Sequence, residues 1–134
     1  MKILFVCEGN MMRSQMAEVF YNQSTGTRDA ASAGAIAEKR DAISPRAIEV
    51  LGEIGVEARH LKPSQLTKEL FDKADRIIYF PSAFMPDYVK QSGKSALWDV
   101  ADPHYNKDKG MDFVRMVRDD IKQRVEGLLD EHQD

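Results

Sequence analysis

Cys7-Glu8-Gly9-Asn10-Met11-Met12-Arg13-Ser14 sets a cysteine and an arginine with five residues between them, a glycine inside the interval and a hydroxyl directly after it. That is enough chain to wrap successive backbone N–H groups around one tetrahedral oxyanion, as anion-binding nests at helix N-termini do. Gly9 permits the tight curvature. Arg13 can close the ring with a planar fork suited to two oxygens of phosphate or arsenate. A cysteine at the rim shares the same positive field, which favours the thiolate, the nucleophilic form of sulfur. Nucleophile and oxyanion cradle would then be a single loop. The competing interpretation makes Cys7 a small buried apolar residue at a strand end and Arg13 a solvated helix residue.

A thiolate that displaces an oxygen from phosphorus needs an acid, because the departing oxygen must take up a proton, and a nearby carboxyl group is the usual source. Asp102, directly before Pro103, is the candidate, since the proline stiffens the turn that aims it; Asp99 is the competitor. Trp98 fits the core better than a ligand contact. A single cysteine excludes an internal disulfide and a cysteine-based metal cage, and His60, His104 and His132 have no metal-ligand spacing. No metal and no organic cofactor is implied.

The elements that must position these residues follow from pattern. Met1 to Val6 is an apolar run rich in β-formers, giving way at Gly9-Asn10 to Met12, Met16, Ala17, Phe20 and Tyr21 at helical spacing. Strand, loop and helix are therefore expected in that order. Ala30 to Ala33 predicts a short second strand stopped by Gly34. Ser44-Pro45 starts a helix whose face is Ala47, Ile48 and Leu51 and which Gly55 is placed to end. Arg76 to Phe80 predicts a third strand closed by Pro81, and Pro86 delays or kinks the helix after it. Ala96 to Val100 predicts a fourth strand. From Met111, the residues Phe113, Val117, Ile121, Val125 and Leu128 fall on one face of a long docking helix. Alternating strands and helices in 134 residues, with 43% apolar residues, indicate one α/β domain over 1–134, a parallel sheet covered on both faces. Ligands bind such sheets at the carboxyl ends of the strands, where the residues after Val6 and Val100 would lie.

Lys and Arg number 19 against 22 Asp and Glu, a formal charge of -3 with no basic block, which argues against nucleic acid or an anionic membrane as partner. The longest apolar stretch, Ile3 to Cys7, is too short for a membrane span or a signal sequence, so a cytoplasmic location is expected.

Taken together, Val6-Cys7-Glu8-Gly9-Asn10, Arg13-Ser14-Gln15-Met16-Ala17-Glu18, Ser32-Ala33-Gly34, Pro45-Arg46-Ala47 and Asp102-Pro103 resemble the low-molecular-weight protein-tyrosine phosphatase superfamily, which includes arsenate reductases. The resemblance runs through nearly the whole chain. It implies a phosphotyrosine phosphatase I-like fold, a three-layer α/β/α sandwich on a four-stranded parallel sheet. It further implies that Cys7 forms a phosphocysteine intermediate, that Arg13 binds the phosphoryl oxygens, and that Asp102 protonates the leaving group and then activates water. Glu8, Gly9, Asn10, Met11, Met12 and Ser14 would surround the anion, Asn10 and Ser14 also holding the loop in shape. By the same resemblance His60 supports Asn10 from behind, and Tyr105 is a wall of the substrate pocket.

The chain also departs from the pattern. The second loop cysteine usual in the family is Met12 here, and the relay cysteines of thiol-dependent arsenate reductases are missing. Residues 35–44 carry no aromatic side chain where eukaryotic-type phosphatases place a wall. The Arg-Ser-Gln-Met-Ala-Glu string is closer to the arsenate reductase branch. Three functions are therefore carried forward. The first is a phosphatase of aryl phosphates such as phosphotyrosine, on a protein or a small molecule. The second is a single-cysteine arsenate reductase using arsenate plus an external thiol or redoxin. The third is a catalytically weak module that binds oxyanions or phosphopeptides.

Overall fold

The structure, a computed structural model, describes residues 1–131. In chain order the elements are β1 (Ile3–Cys7), α1 (Arg13–Thr25), β2 (Ala30–Gly34), α2 (Pro45–Gly52), α3 (Lys68–Lys73), β3 (Arg76–Tyr79), α4 (Asp87–Lys90), β4 (Ser95–Leu97), a 3-10 helix (Pro103–Lys109) and α5 (Gly110–Glu131). The four strands form one parallel sheet in the order β2-β1-β3-β4. Because β1 pairs on both sides, all of its residues are buried, and its sequence shows an unbroken apolar run instead of alternation. Alternation survives in the layer each side chain joins. Ile3, Phe5 and Cys7 pack with α1, α2 and α5, while Leu4 and Val6 pack with α3 and α4. The result is an α/β/α sandwich, with Cys7 on the α1 side at the end of the central strand.

The strand order reverses direction between β1 and β3, and the crevice at such a reversal is where open α/β sheets bind ligands. Here the loops following β1, β3 and β4 converge. β4 ends earlier than the apolar pattern predicts, at Leu97, because Val100 donates its N–H back to the Trp98 carbonyl (2.9 Å) and the chain turns off the sheet edge. That turn drops Trp98 between Phe5 and Phe80, with ring centroids 5.7 and 6.1 Å away, so its core role holds. Neither α3 nor the 3-10 helix was legible as a period, since six or seven residues complete too few turns. Thr67 caps α3 by accepting the Leu70 N–H (3.1 Å). Pro86 stands at the N-cap of α4, which starts late as its proline requires. α2 stops at Gly52, and Gly55 takes a left-handed φ of 81° in the turn beyond instead of capping the helix.

One carboxylate in this frame is held at a cost. Glu18, half-buried on α1, accepts the Ser32 hydroxyl (2.9 Å), yet burial outweighs that bond and pushes its carboxyl above the usual range. The folded chain thus binds the Glu18 proton more tightly than the unfolded chain. Stability falls as pH rises through the interval between the two values, then stays reduced above it. Glu18→Gln keeps an oxygen for Ser32 and removes the desolvated charge. It is expected to raise the thermal midpoint at about pH 7 and to lose that advantage by about pH 4, read from unfolding scans across pH. Among the described residues no helix is long and apolar enough to cross a membrane.

Candidate active site

The loop between β1 and α1 bends at Asn10, whose φ of 54° is the one positive value at a non-glycine among the described residues. The curvature expected of Gly9 therefore sits one residue later. Gly9 serves a different need: a Cβ there would stand 3.3 Å from Arg40 Nε, so its bare backbone lets the Arg40 side chain lie across the loop. An asparagine tolerates the left-handed region when its short amide is bonded locally. Asn10 Nδ2 donates to Ser14 Oγ (2.6 Å), and its Oδ1 accepts from Gln15 Nε2 (3.0 Å) and from the Ser64 backbone N–H (2.8 Å). With an amide nitrogen feeding it, the Ser14 oxygen is an acceptor on that side and can turn its own hydrogen to Cys7 Sγ, 2.9 Å away. The Asn10 N–H points at the same sulfur, 3.2 Å away. Both are contacts that an ionised sulfur can accept.

Gln15, not His60, holds Asn10 from behind, assisted by Ser64. Gln15 is almost fully buried and also donates to the Lys62 carbonyl (2.9 Å), whereas His60 is exposed. The signal for Gln15 was in the sequence: a polar residue in the first turn between Met12 and Met16, both on the apolar face. His104 is exposed as well, and His132 lies outside the described residues.

Arg13 opens α1 and is 2% exposed, which excludes the solvated alternative. Its Nη1 donates to the carbonyls of Pro81 (3.1 Å) and Val100 (2.9 Å), and its Nη2 to Asp102 Oδ2 (3.1 Å). One guanidinium thus ties together the loops after β3 and β4. Three of its five N–H groups are used in this way, which leaves Nε–H and one Nη2 hydrogen for a ligand. Phe80 lies under it, 5.5 Å from ring centroid to Cζ. The first turn of α1 has Met12 at its N-cap with no side-chain cap, so its free N–H groups and positive dipole end remain directed at the loop.

Asp102 caps the 3-10 helix, its Oδ1 accepting the His104 N–H (2.9 Å) while Pro103 occupies the first position. Asp99 is exposed and does not line the cavity that Asp102 shares with Cys7 and Arg13. That cavity has a volume of about 360 Å³, and Gly9, Met11, Met12, Arg40, Arg46 and Lys107 also border it. Glu8 points its carboxylate away, accepting from Ser82 Oγ (2.8 Å) and from the Tyr105 hydroxyl. It is 5% exposed, so the loop residue after the cysteine is a buried anchor to two neighbouring loops. By accepting the hydrogen bond of the Tyr105 hydroxyl, Glu8 holds that phenol above its ordinary range. Tyr105 itself is 63% exposed and does not border the cavity, because its hydroxyl is drawn to Glu8, so the wall expected of it is not formed.

Gly34, at the end of β2, is a site residue by close approach. A Cβ there would lie 2.7 Å from the Gly9 carbonyl carbon and 2.8 Å from the Asn10 nitrogen. Both are backbone atoms of the cradle and cannot swing aside. Gly34→Ala is expected to cost about 1–3 kcal/mol of stability and to weaken inorganic phosphate binding, read from urea unfolding and from competitive inhibition.

The whole-chain comparisons agree with this geometry. The family model described as low molecular weight phosphotyrosine protein phosphatase matches residues 2–134. A protein-arginine-phosphatase of Geobacillus stearothermophilus is 32% identical, with 98% of this chain and 96% of the relative covered. An arsenate reductase of Staphylococcus haemolyticus is 28% identical over 94% of both chains. The solved low molecular weight protein tyrosine phosphatase from T. tengcongensis superposes with a TM-score of 0.82 at 25% identity, covering 98% of this chain and 99% of that one. The strand order, the bend at Asn10 and the full-length match lead to one assignment: this chain belongs to the low molecular weight phosphotyrosine protein phosphatase family.

Proposed function

We propose that the protein is a cysteine-dependent phosphatase that hydrolyses aryl phosphates, phosphotyrosine being the natural example, through an intermediate on Cys7. One observation carries this reading: the Cys7 sulfur, the Arg13 fork and the Asp102 carboxyl border a single cavity. In the first step Cys7 Sγ bonds to phosphorus as the phosphorus–oxygen bond to the aryl group breaks, and the proton of Asp102 passes to the departing oxygen. Arg13 and the loop's backbone N–H groups other than that of Asn10, which faces Cys7 Sγ, bind the three phosphoryl oxygens throughout. Water then attacks phosphorus, Asp102 takes its proton, the sulfur–phosphorus bond breaks, and orthophosphate leaves with the thiolate restored.

Asp102→Asn separates the acid role from a structural one. Phenyl phosphate, with a poor leaving group, is expected to lose about 10²- to 10⁴-fold in turnover. p-Nitrophenyl phosphate is expected to lose far less, since its leaving group needs no proton. Equal losses on both substrates would make Asp102 a scaffold residue.

A second reading is arsenate reduction, favoured by the arsenate reductase similarity over 94% of both chains. Cys7 Sγ would bond to arsenic as one arsenate hydroxyl leaves as water with the proton of Asp102. An external thiol would then attack the Cys7 sulfur, releasing arsenite as the two sulfurs form a disulfide, which a second thiol reduces. The chain holds no other cysteine, so each of these thiols must come from outside. Aryl phosphate turnover and thiol-dependent arsenite formation, measured on one preparation, decide between the readings. Phosphoarginine belongs in the same panel and is expected to be a poor substrate, because its guanidinium side would meet Arg40, Arg46 and Lys107. Phosphate binding with no turnover in any assay would leave only a binding module.

A further inference from the structure

Arg40, Arg46 and Lys107 border the same cavity as Cys7, and no carboxylate pairs with them among the described residues. The Arg40 guanidinium donates only to Met11 Sδ (3.2 Å), a weak acceptor, and the Arg46 guanidinium only to the Pro103 carbonyl (3.3 Å). Four other arginines have carboxylate partners: Arg59 with Glu57, Arg115 with Glu53 and Asp112, Arg118 with Glu53 and Asp119, Arg124 with Asp120. In a chain of net charge -3, three cations without a carboxylate partner thus border one mouth. The two carboxylates that border the cavity do not offset them, since Asp102 is bound to Arg13 and Glu8 is turned towards Ser82 and Tyr105. The Arg40 side chain moreover lies across Gly9, on the stretch that carries no aromatic wall. The cavity, about 360 Å³, holds more than one tetrahedral anion.

We propose that Arg40, Arg46 and Lys107 form a second anion subsite, which selects phosphate monoesters bearing another anionic group, carboxylate or phosphate, beyond the one in the cradle. This rests on the phosphatase reading and names its substrate class. Three cations around one opening add their attraction on a second anion, an effect that salt screens.

The test compares matched substrate pairs: phenyl phosphate against 4-(carboxymethyl)phenyl phosphate, and a phosphotyrosyl peptide flanked by Gln against the same peptide flanked by Glu. In each preferred pair the anionic member is expected to have a kcat/KM about tenfold higher at low salt, shrinking towards parity as salt rises. The ratio is expected to fall in an Arg40→Gln, Arg46→Gln double variant, whatever that variant does to both members. The pair that shows the preference assigns the source, a small diacid or an acidic protein segment. A ratio within twofold in both pairs, or one unchanged in the double variant, overturns the subsite. Calorimetry on Cys7→Ser protein with benzylphosphonate and its 4-carboxy analogue reads the subsite without turnover. A preference there with no aryl phosphate hydrolysis would retain the subsite and remove the phosphatase reading. No preference would remove the subsite even if hydrolysis stands.

Discussion

Serine in place of Cys7 is expected to leave a folded protein that turns over aryl phosphates at least about a thousandfold more slowly. The fold should survive because the sulfur's two polar contacts, Ser14 Oγ at 2.9 Å and the Asn10 N–H at 3.2 Å, are ones a hydroxyl oxygen can also make. The chemistry should not survive, since a neutral hydroxyl in a cradle with no adjacent base is a far weaker nucleophile than a thiolate. Steady-state assays and an unfolding curve on the same sample provide the check. Intact-mass analysis of native protein quenched in mid-turnover should find phosphate on Cys7. Retained hydrolysis in the variant would deny Cys7 its part.

Arg13→Lys is expected to raise the barrier by about 3 kcal/mol or more, roughly a hundredfold or greater loss in kcat, although the positive charge is kept. A lysine is a point charge and cannot present two parallel N–H groups to the transferring phosphoryl group. The structure adds a second effect. Arg13 reaches Pro81 O, Val100 O and Asp102 at once, and a lysine ammonium cannot span all three. A buried carbonyl left unpaired costs about 1–3 kcal/mol, so the variant should also unfold at lower denaturant concentration. Turnover near that of the native protein would mean that the backbone ring alone binds the anion.

Much of the frame was legible because it is local. The unbroken apolar run into Cys7, the helical spacing after it and Ser44-Pro45 each report on neighbours within a few residues, where backbone geometry couples directly to residue type. The Gly-containing interval from Cys7 to Arg13 carried the oxyanion chemistry for the same reason. Errors arose where an outcome depended on distant chain. β4 ends at Leu97 in a turn that seats the Trp98 ring between Phe5 and Phe80, partners that no window around Trp98 contains.

The sequence by itself determined the cradle's composition, the strand before it, the helix after it and the Asp102-Pro103 turn. Tertiary structure decided who serves whom. It gave the support of Asn10 to Gln15 and Ser64 and left His60 exposed. It turned Glu8 into an anchor for Ser82 and Tyr105, and it pressed Gly34 against the cradle backbone. It also brought Lys107 to Arg40 and Arg46, from which it lies far in sequence, around one opening. Spacing fixes what a short loop can become, because its bonds are near in the chain. Partnership across the fold is set by which strand ends meet at the sheet's carboxyl edge, a property of packing that no single segment encodes.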